Sequence, residues 1–174
     1  MLTTLYLVRH ANPKQNTGIT YHIPPGPPLD ETGRDEAHAT AFFLKTCDVQ
    51  AIFTSPFERT RETAEIIANE LGKIAVTENA LAEHGPNETF DQVKTRTRDW
   101  LARVEDYERD VVAFVTHGSP IRALLQILSN ETLDLSKYVF PNGNPAPTAG
   151  VWRAQKTEHG WELALVFEPQ VTLA

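Results

Sequence analysis

The sequence predicts an α/β fold: a three-layer α/β/α sandwich with a mainly parallel sheet and an antiparallel C-terminal hairpin at one edge. Three observations predict it. Short apolar runs alternate with helix-period segments along most of the chain, the pattern of βαβ units. Those runs are strand-length and continuously apolar, as expected of strands covered on both faces. The last two strand-like stretches are separated only by Thr157-Glu158-His159-Gly160, which reads as a hairpin turn and not a crossover.

The elements follow in order. Leu5–Val8, Ala51–Thr54, roughly Ile74–Thr77 and Val111–Thr116 read as buried strands. Residues 33–46, Ala-rich with Phe42 and Leu44, predict the first helix. Residues 56–71 predict the second, and Gly72 is its stop signal. In residues 88–105, Phe90, Val93, Trp100, Leu101 and Val104 recur at helical spacing, so this helix is amphipathic and Trp100 is a core residue. Residues 120–129 predict a fourth helix with Asn130 as its cap. The Pro-rich stretch Pro24–Pro28 reads as an ordered loop, and Val151–Lys156 with Trp161–Phe167 as the hairpin. The 174 residues suit one domain, 1–174, with a full hydrophobic core.

Composition narrows the partners. A formal net charge of -7 argues against nucleic acid and against an anionic membrane surface. It leaves room for a small anionic ligand, because a few arginines in one pocket outweigh a diffuse surface charge at short range. No stretch approaches the roughly 20 apolar residues of a membrane helix. The first residues lack a basic stretch followed by a long apolar core, so a cytoplasmic protein without a signal peptide is expected. The single cysteine, Cys47, excludes an internal disulfide and a multi-cysteine zinc site, and its apolar neighbours predict a buried structural thiol. Oligomeric state is left open.

Three of the predicted strands run into reactive residues: Arg9-His10, Thr54-Ser55-Pro56 with Arg59 one turn later, and Thr116-His117-Gly118-Ser119-Pro120. In an open parallel sheet the carboxyl ends of the strands share one edge, where ligands bind. Two histidines and two arginines therefore converge. Ser55-Pro56-Phe57-Glu58 and Ser119-Pro120 carry the signature of capped helix starts, which are anion sites. Arg59 in a first turn opposes the helix dipole, and a bound anion would explain it. A neutral imidazole beside such an anion is a competent nucleophile toward phosphorus. The arginines would hold the equatorial phosphoryl oxygens and disfavour protonation of His10, and His117 could donate to the same group. No His-Glu-x-x-His motif or compact His/Asp cluster is present, so no metal is expected. His22, His38 and His159 read as surface residues, and Arg34 and Arg61 as solvated helix residues.

The segments Leu7-Val8-Arg9-His10, Ser55-Pro56-Phe57-Glu58-Arg59-Thr60-Arg61-Glu62-Thr63-Ala64 and Val115-Thr116-His117-Gly118 resemble, in order, those of the histidine phosphatase (phosphoglycerate-mutase-like) superfamily. Pro28–Arg34 and Glu88–Arg96 extend the resemblance over most of the chain. It implies that His10 is the phosphorylated nucleophile and that Arg9, Arg59 and His117, with Gly118 following, form the phosphate pocket. It further implies that Asn16 lines that pocket and that Glu83 protonates the leaving oxygen and then activates water. Glu88 is the alternative acid, although its place at a helix start also suits capping. His84, beside Glu83, reads equally as a leaving-group contact or an exposed loop residue. The sequence departs from the family at Ala11, where glycine is usual, at Asn12-Pro13, and in the short span between Glu83 and Glu88. The implied activity is metal-independent phosphomonoester hydrolysis without a cofactor, on a small phosphorylated substrate. A phosphomutase, a phosphoprotein or phosphohistidine phosphatase, and a non-catalytic phospho-ligand module are the alternatives.

Overall fold

The computed structural model describes residues 1–170. Six strands form one sheet in the order β3-β2-β4-β1-β5-β6. In it β1 (Thr4–Arg9), β2 (Ala51–Thr54), β3 (Ala75–Thr77) and β4 (Val111–Thr116) are mutually parallel. The hairpin of β5 (Val151–Thr157) and β6 (Gly160–Phe167) joins β1 antiparallel and closes that side.

The central strands β1 and β4 are apolar along most of their length because alternate residues serve opposite layers. Leu5, Leu7, Val112 and Phe114 pack with Trp100, Leu101, Val104, Leu124 and Leu128 of α3 (Phe90–Glu105) and α4 (Gly118–Leu128). Tyr6, Val8, Ala113 and Val115 pack with Ala41, Leu44, Ala64 and Ile67 of α1 (Glu31–Leu44) and α2 (Glu58–Leu71). Burying each large aliphatic side chain contributes about 1.5–3 kcal/mol, so β1 and β4 are held by both helical layers. This makes the three-layer arrangement, and it fixes the carboxyl ends of the central strands. No helix among the described residues is long and apolar enough to cross a membrane.

Several local expectations are corrected. β3 is not a buried strand: it is the sheet's edge, with Ile74 83% and Val76 49% exposed. Cys47 is only half-buried, its thiol donating to the Phe43 carbonyl at 3.5 Å. Ser55 does not cap α2, whose start lies at Glu58 behind Phe57. Ser119 does not cap α4 either: His117 occupies the cap position, with Ser119 and Pro120 inside the first turn. Glu88 caps nothing, because Thr89 makes the capping box of α3 with Gln92. Gly72 ends α2 in the left-handed region at φ 63, as the sequence indicates. Asn130, also left-handed at φ 49, follows the end of α4.

Candidate active site

Register brings the reactive residues together. Arg9 pairs with Thr116 across β1 and β4, and Thr54 pairs with Val115 across β2 and β4. The residues that follow, His10, His117 and Ser55, therefore emerge side by side at the carboxyl edge of three adjacent parallel strands. The His10 amide continues the ladder to the Thr116 carbonyl at 2.9 Å, and the Ser55 amide to the Val115 carbonyl at 3.1 Å. The two imidazole centroids lie 5.3 Å apart.

Hydrogen bonds assign the protons. His10 Nδ1 is 2.8 Å from the Ala11 carbonyl, which can only accept. Nδ1 therefore carries the hydrogen, and Nε2 is left with a lone pair. Burial first, then Arg59 and Arg9, holds His10 well below the ordinary imidazole pKa, so the ring is neutral. His117 is likewise held well below it, by burial, then Arg59, His10 and the other arginines. Its Nδ1 accepts from Arg59 Nη2 at 3.1 Å, so its Nε2 donates to Ser55 Oγ at 2.7 Å. The Ser55 hydroxyl thus serves the histidine rather than a helix cap, and it also accepts from the Phe57 amide at 3.3 Å.

Both guanidiniums are buried with incomplete compensation. Arg9 donates through Nη1 to the Ala146 carbonyl at 2.9 Å, its Nε has no partner, and it makes no ion pair among the described residues. Arg59 is 0% exposed, its Nε is also without a partner, and the nearest carboxylate oxygen, Glu83 Oε2, is 4.0 Å away. Its guanidinium lies over the rings of Tyr21 at 4.2 Å and Phe57 at 4.6 Å, and Nη1 donates to the Tyr21 carbonyl at 3.0 Å. Gly26, at φ +68, lets this loop close down: a Cβ there would sit 2.7 Å from Arg59 Nη1. Such buried cations are costly when alone, and a phosphate group is a matching counter-charge.

Glu83 completes the cluster. Its Oε2 lies 3.7 Å from His117 Nδ1, and Oε1 accepts from the His84 amide at 2.8 Å. The segment bearing it is fastened from two sides. Thr116 Oγ1, on β4, donates to the Leu81 carbonyl at 2.6 Å. Arg96, on α3, donates to the carbonyls of Ala80 at 2.6 Å, Ala82 at 2.8 Å and Glu83 at 3.3 Å. The same guanidinium grips both carboxylate oxygens of Glu88, at 2.6 and 3.0 Å, and holds that carboxyl below its ordinary pKa. Glu88 is a neutralised structural carboxylate, whereas Glu83 faces the histidines.

These groups open into a cavity of about 1040 Å³. Arg9, His10, Glu83, His84 and Glu88 line it, while Arg59 and His117 lie behind that surface. Gly118 is buried at the first turn of α4, where a Cβ would collide with the Asn144 side chain. Asn16 is exposed in a left-handed turn at φ 55 and is not among the lining residues, which instead include Asn12 and Gln15. His84 donates to the Glu88 carbonyl through Nε2 at 2.5 Å. His22 is exposed as expected but stands at the cavity rim, its ring 5.1 Å from Tyr21. His38 lies 3.8 Å from Glu70 on the surface, and Arg34 and Arg61 make half-exposed ion pairs. Sequence reasoning gave no role at the site to Arg96, because its partners are carbonyls with no local signature. It likewise missed the Tyr21 stack and Ser55's bond to His117.

A parallel α/β sheet with a neutral histidine and two buried arginines at its carboxyl edge defines a site for an anion beside a nucleophile. The family model of the histidine phosphatase superfamily (branch 1) matches residues 5–86 and 77–168, and the chain belongs to that superfamily. It is 29% identical over 164 residues to the "Uncharacterized phosphatase PhoE" of Bacillus subtilis (strain 168), spanning 81% of this chain and 85% of that one. It is 27% identical over 164 residues to the 2,3-bisphosphoglycerate-dependent phosphoglycerate mutase of Thermoplasma acidophilum, spanning 75% and 80% respectively. In fold it matches a mycobacterial glucosyl-3-phosphoglycerate phosphatase with a TM-score of 0.75 at 19% identity, over 94% of this chain and 97% of that one. The chain is a phosphatase of this superfamily.

Proposed function

We propose that this enzyme hydrolyses phosphomonoesters without a metal ion, through a phosphohistidine on His10. The observation that carries the reading is a neutral imidazole with Nε2 unengaged, set beside two buried and undercompensated guanidiniums. Arg9 and Arg59 supply the positive charge that a metal would otherwise bring to the phosphoryl oxygens. Among the described residues no three His, Cys, Asp or Glu side chains group as metal ligands.

In the first step a phosphoryl oxygen accepts the hydrogen bond that Arg59 Nη2 otherwise donates to His117 Nδ1. His117 changes tautomer by exchange with water, losing a proton at Nε2 and gaining one at Nδ1, so that Nδ1–H donates to the phosphate while Nε2 accepts from Ser55. His10 Nε2 attacks phosphorus, the bond to the leaving oxygen breaks, and Glu83 gives that oxygen its proton. In the second step the Glu83 carboxylate takes a proton from water as the water oxygen attacks. The P–N bond breaks, inorganic phosphate leaves, and His10 returns to the neutral state. One ester and one water become one alcohol and one phosphate.

Hydrolysis is favoured over transfer to a second hydroxyl by the chain between Glu83 and His117, which α3 and β4 fill without an inserted lid. The substrate is a small phosphorylated molecule, and a cytoplasmic setting accords with the lone, unpaired Cys47. The test is phosphate release from a chromogenic aryl phosphate in EDTA by wild type and His10→Ala. Activity that survives the chelator and vanishes in the variant supports the reading. Activity lost to EDTA, or retained by His10→Ala, refutes it. Faster interconversion of 2- and 3-phosphoglycerate than phosphate release would favour the mutase.

A further inference from the structure

The cavity is far larger than a phosphate ion, so its walls must meet the leaving group. Their charge is lopsided. Arg9 is the only lysine or arginine among the lining residues, and it lies at the phosphoryl end with Arg59 behind it. The acidic lining residues are Glu83 and Glu88, and Glu88 is already spoken for by Arg96. The remainder of the polar wall is made by Asn12, Gln15, Ser119, Asn142, Asn144 and Thr148, with Tyr21, His22 and His84 and with prolines between them. Asn12 gives Nδ2 to Asp30, Gln15 gives Nε2 to the Pro13 carbonyl, Asn144 gives Nδ2 to the Pro141 carbonyl and Thr148 gives its hydroxyl to Glu36, while the Ser119 and Asn142 side chains make no hydrogen bond among the described residues.

A second anion on the substrate, whether carboxylate or phosphate, would leave water and find no second lysine or arginine on the wall. A charge taken out of water without a partner weakens binding steeply. A hydroxyl-bearing neutral group would instead find amides and hydroxyls able to donate and accept, in a volume typical of ligand sites. We infer that the site selects phosphomonoesters with an uncharged, hydroxyl-bearing leaving group of sugar to nucleoside size. It discriminates against esters that carry a carboxylate or second phosphate on that group. The inference rests on the hydrolase reading and names its substrate class.

Two matched pairs test it: glycerol 3-phosphate against 3-phosphoglycerate, and glucose 6-phosphate against 6-phosphogluconate. Each pair differs chiefly by a carboxylate on the leaving group. All four esters are assayed at the same pH and ionic strength. The neutral member is expected to show a kcat/KM about tenfold or more above its acidic partner in both pairs. Gln15→Arg, which puts a cation into the outer wall, is expected to narrow that ratio several-fold. Equal or reversed ratios in wild type overturn the inference, as does turnover of the chromogenic ester with none of the four. A ratio that Gln15→Arg does not move overturns its origin in charge. Failure on every ester, the chromogenic one included, takes down the hydrolase reading as well.

Discussion

At the inner end of the cavity, Arg9 ends a strand, while His10, Ser55 and His117 each stand one residue beyond a parallel strand. The outer wall comes instead from residues 12–22 and 141–148, which contain no helix longer than a single 3₁₀ turn. Backbone register between strands buried in two cores sets the inner positions. Loops, which tolerate substitution more readily, set the outer ones. The difference teaches where each property of the enzyme resides: bond-making at the strand ends, selection among leaving groups in the loops. Tyr21 and Glu83 sit where the two regions meet.

The comparison can be sharpened first at Glu83. Glu83→Gln keeps the shape and removes the transferable proton, so turnover of an alkyl phosphate should fall by about 10²–10⁴. An aryl phosphate with an acidic phenol needs little protonation of its leaving oxygen in the first step. Phosphoenzyme formation from it should fall far less, which a rapid-quench burst measures. Equal losses on both esters would remove Glu83 from the acid role.

Arg96→Ala should reproduce that leaving-group pattern more weakly, by on the order of tenfold to a hundredfold on alkyl esters. Arg96 touches no reacting atom, but it holds the carbonyls on either side of Glu83. A loss independent of leaving group would mark general destabilisation, and thermal melts would accompany it. Tyr21→Ala removes one face of the Arg59 stack and should raise KM by up to about tenfold with little change in kcat. A kcat effect as large as that of Glu83→Gln would break the division between inner and outer regions.

The smallest expected effect lies in stability against pH. The folded state holds His10 and His117 well below the ordinary imidazole pKa, mainly through burial. Below about pH 6.5 the unfolded chain therefore binds more protons at these sites than the folded protein. Their contribution to stability is full above that pH and is lost as pH falls through it. The slope is up to about two protons. Denaturation midpoints between pH 7.5 and 5 should fall, and His10→Gln should show a slope shallower by about one proton. Identical slopes would contradict the neutral, desolvated state of His10.

Much of this was legible in the sequence, for physical reasons that also explain what was not. The continuous apolar runs marked β1 and β4, and helical spacing placed Trp100 in the core. Strand ends then located Arg9, His10, Arg59 and His117 without any contact being known. Capping signals at Ser55 and Ser119 misled because they are local, whereas a buried imidazole recruits Ser55 from a different strand. The three residues of β3 were too few for periodicity to tell an edge from a core strand. The family resemblance pointed to Asn16, but its left-handed turn leaves that residue exposed. Tyr21 over Arg59 and Arg96 around Glu83 join residues distant in sequence through carbonyls and ring faces, which carry no sequence pattern.

The central claim is the covalent intermediate on His10. Wild type and His10→Ala should be mixed with a ³²P-labelled phosphomonoester, quenched in alkali within milliseconds, and the label mapped. The account predicts an alkali-stable, acid-labile label on the peptide containing His10, formed before phosphate release and absent from the variant. Phosphate released in steady turnover with no label on His10 would contradict it.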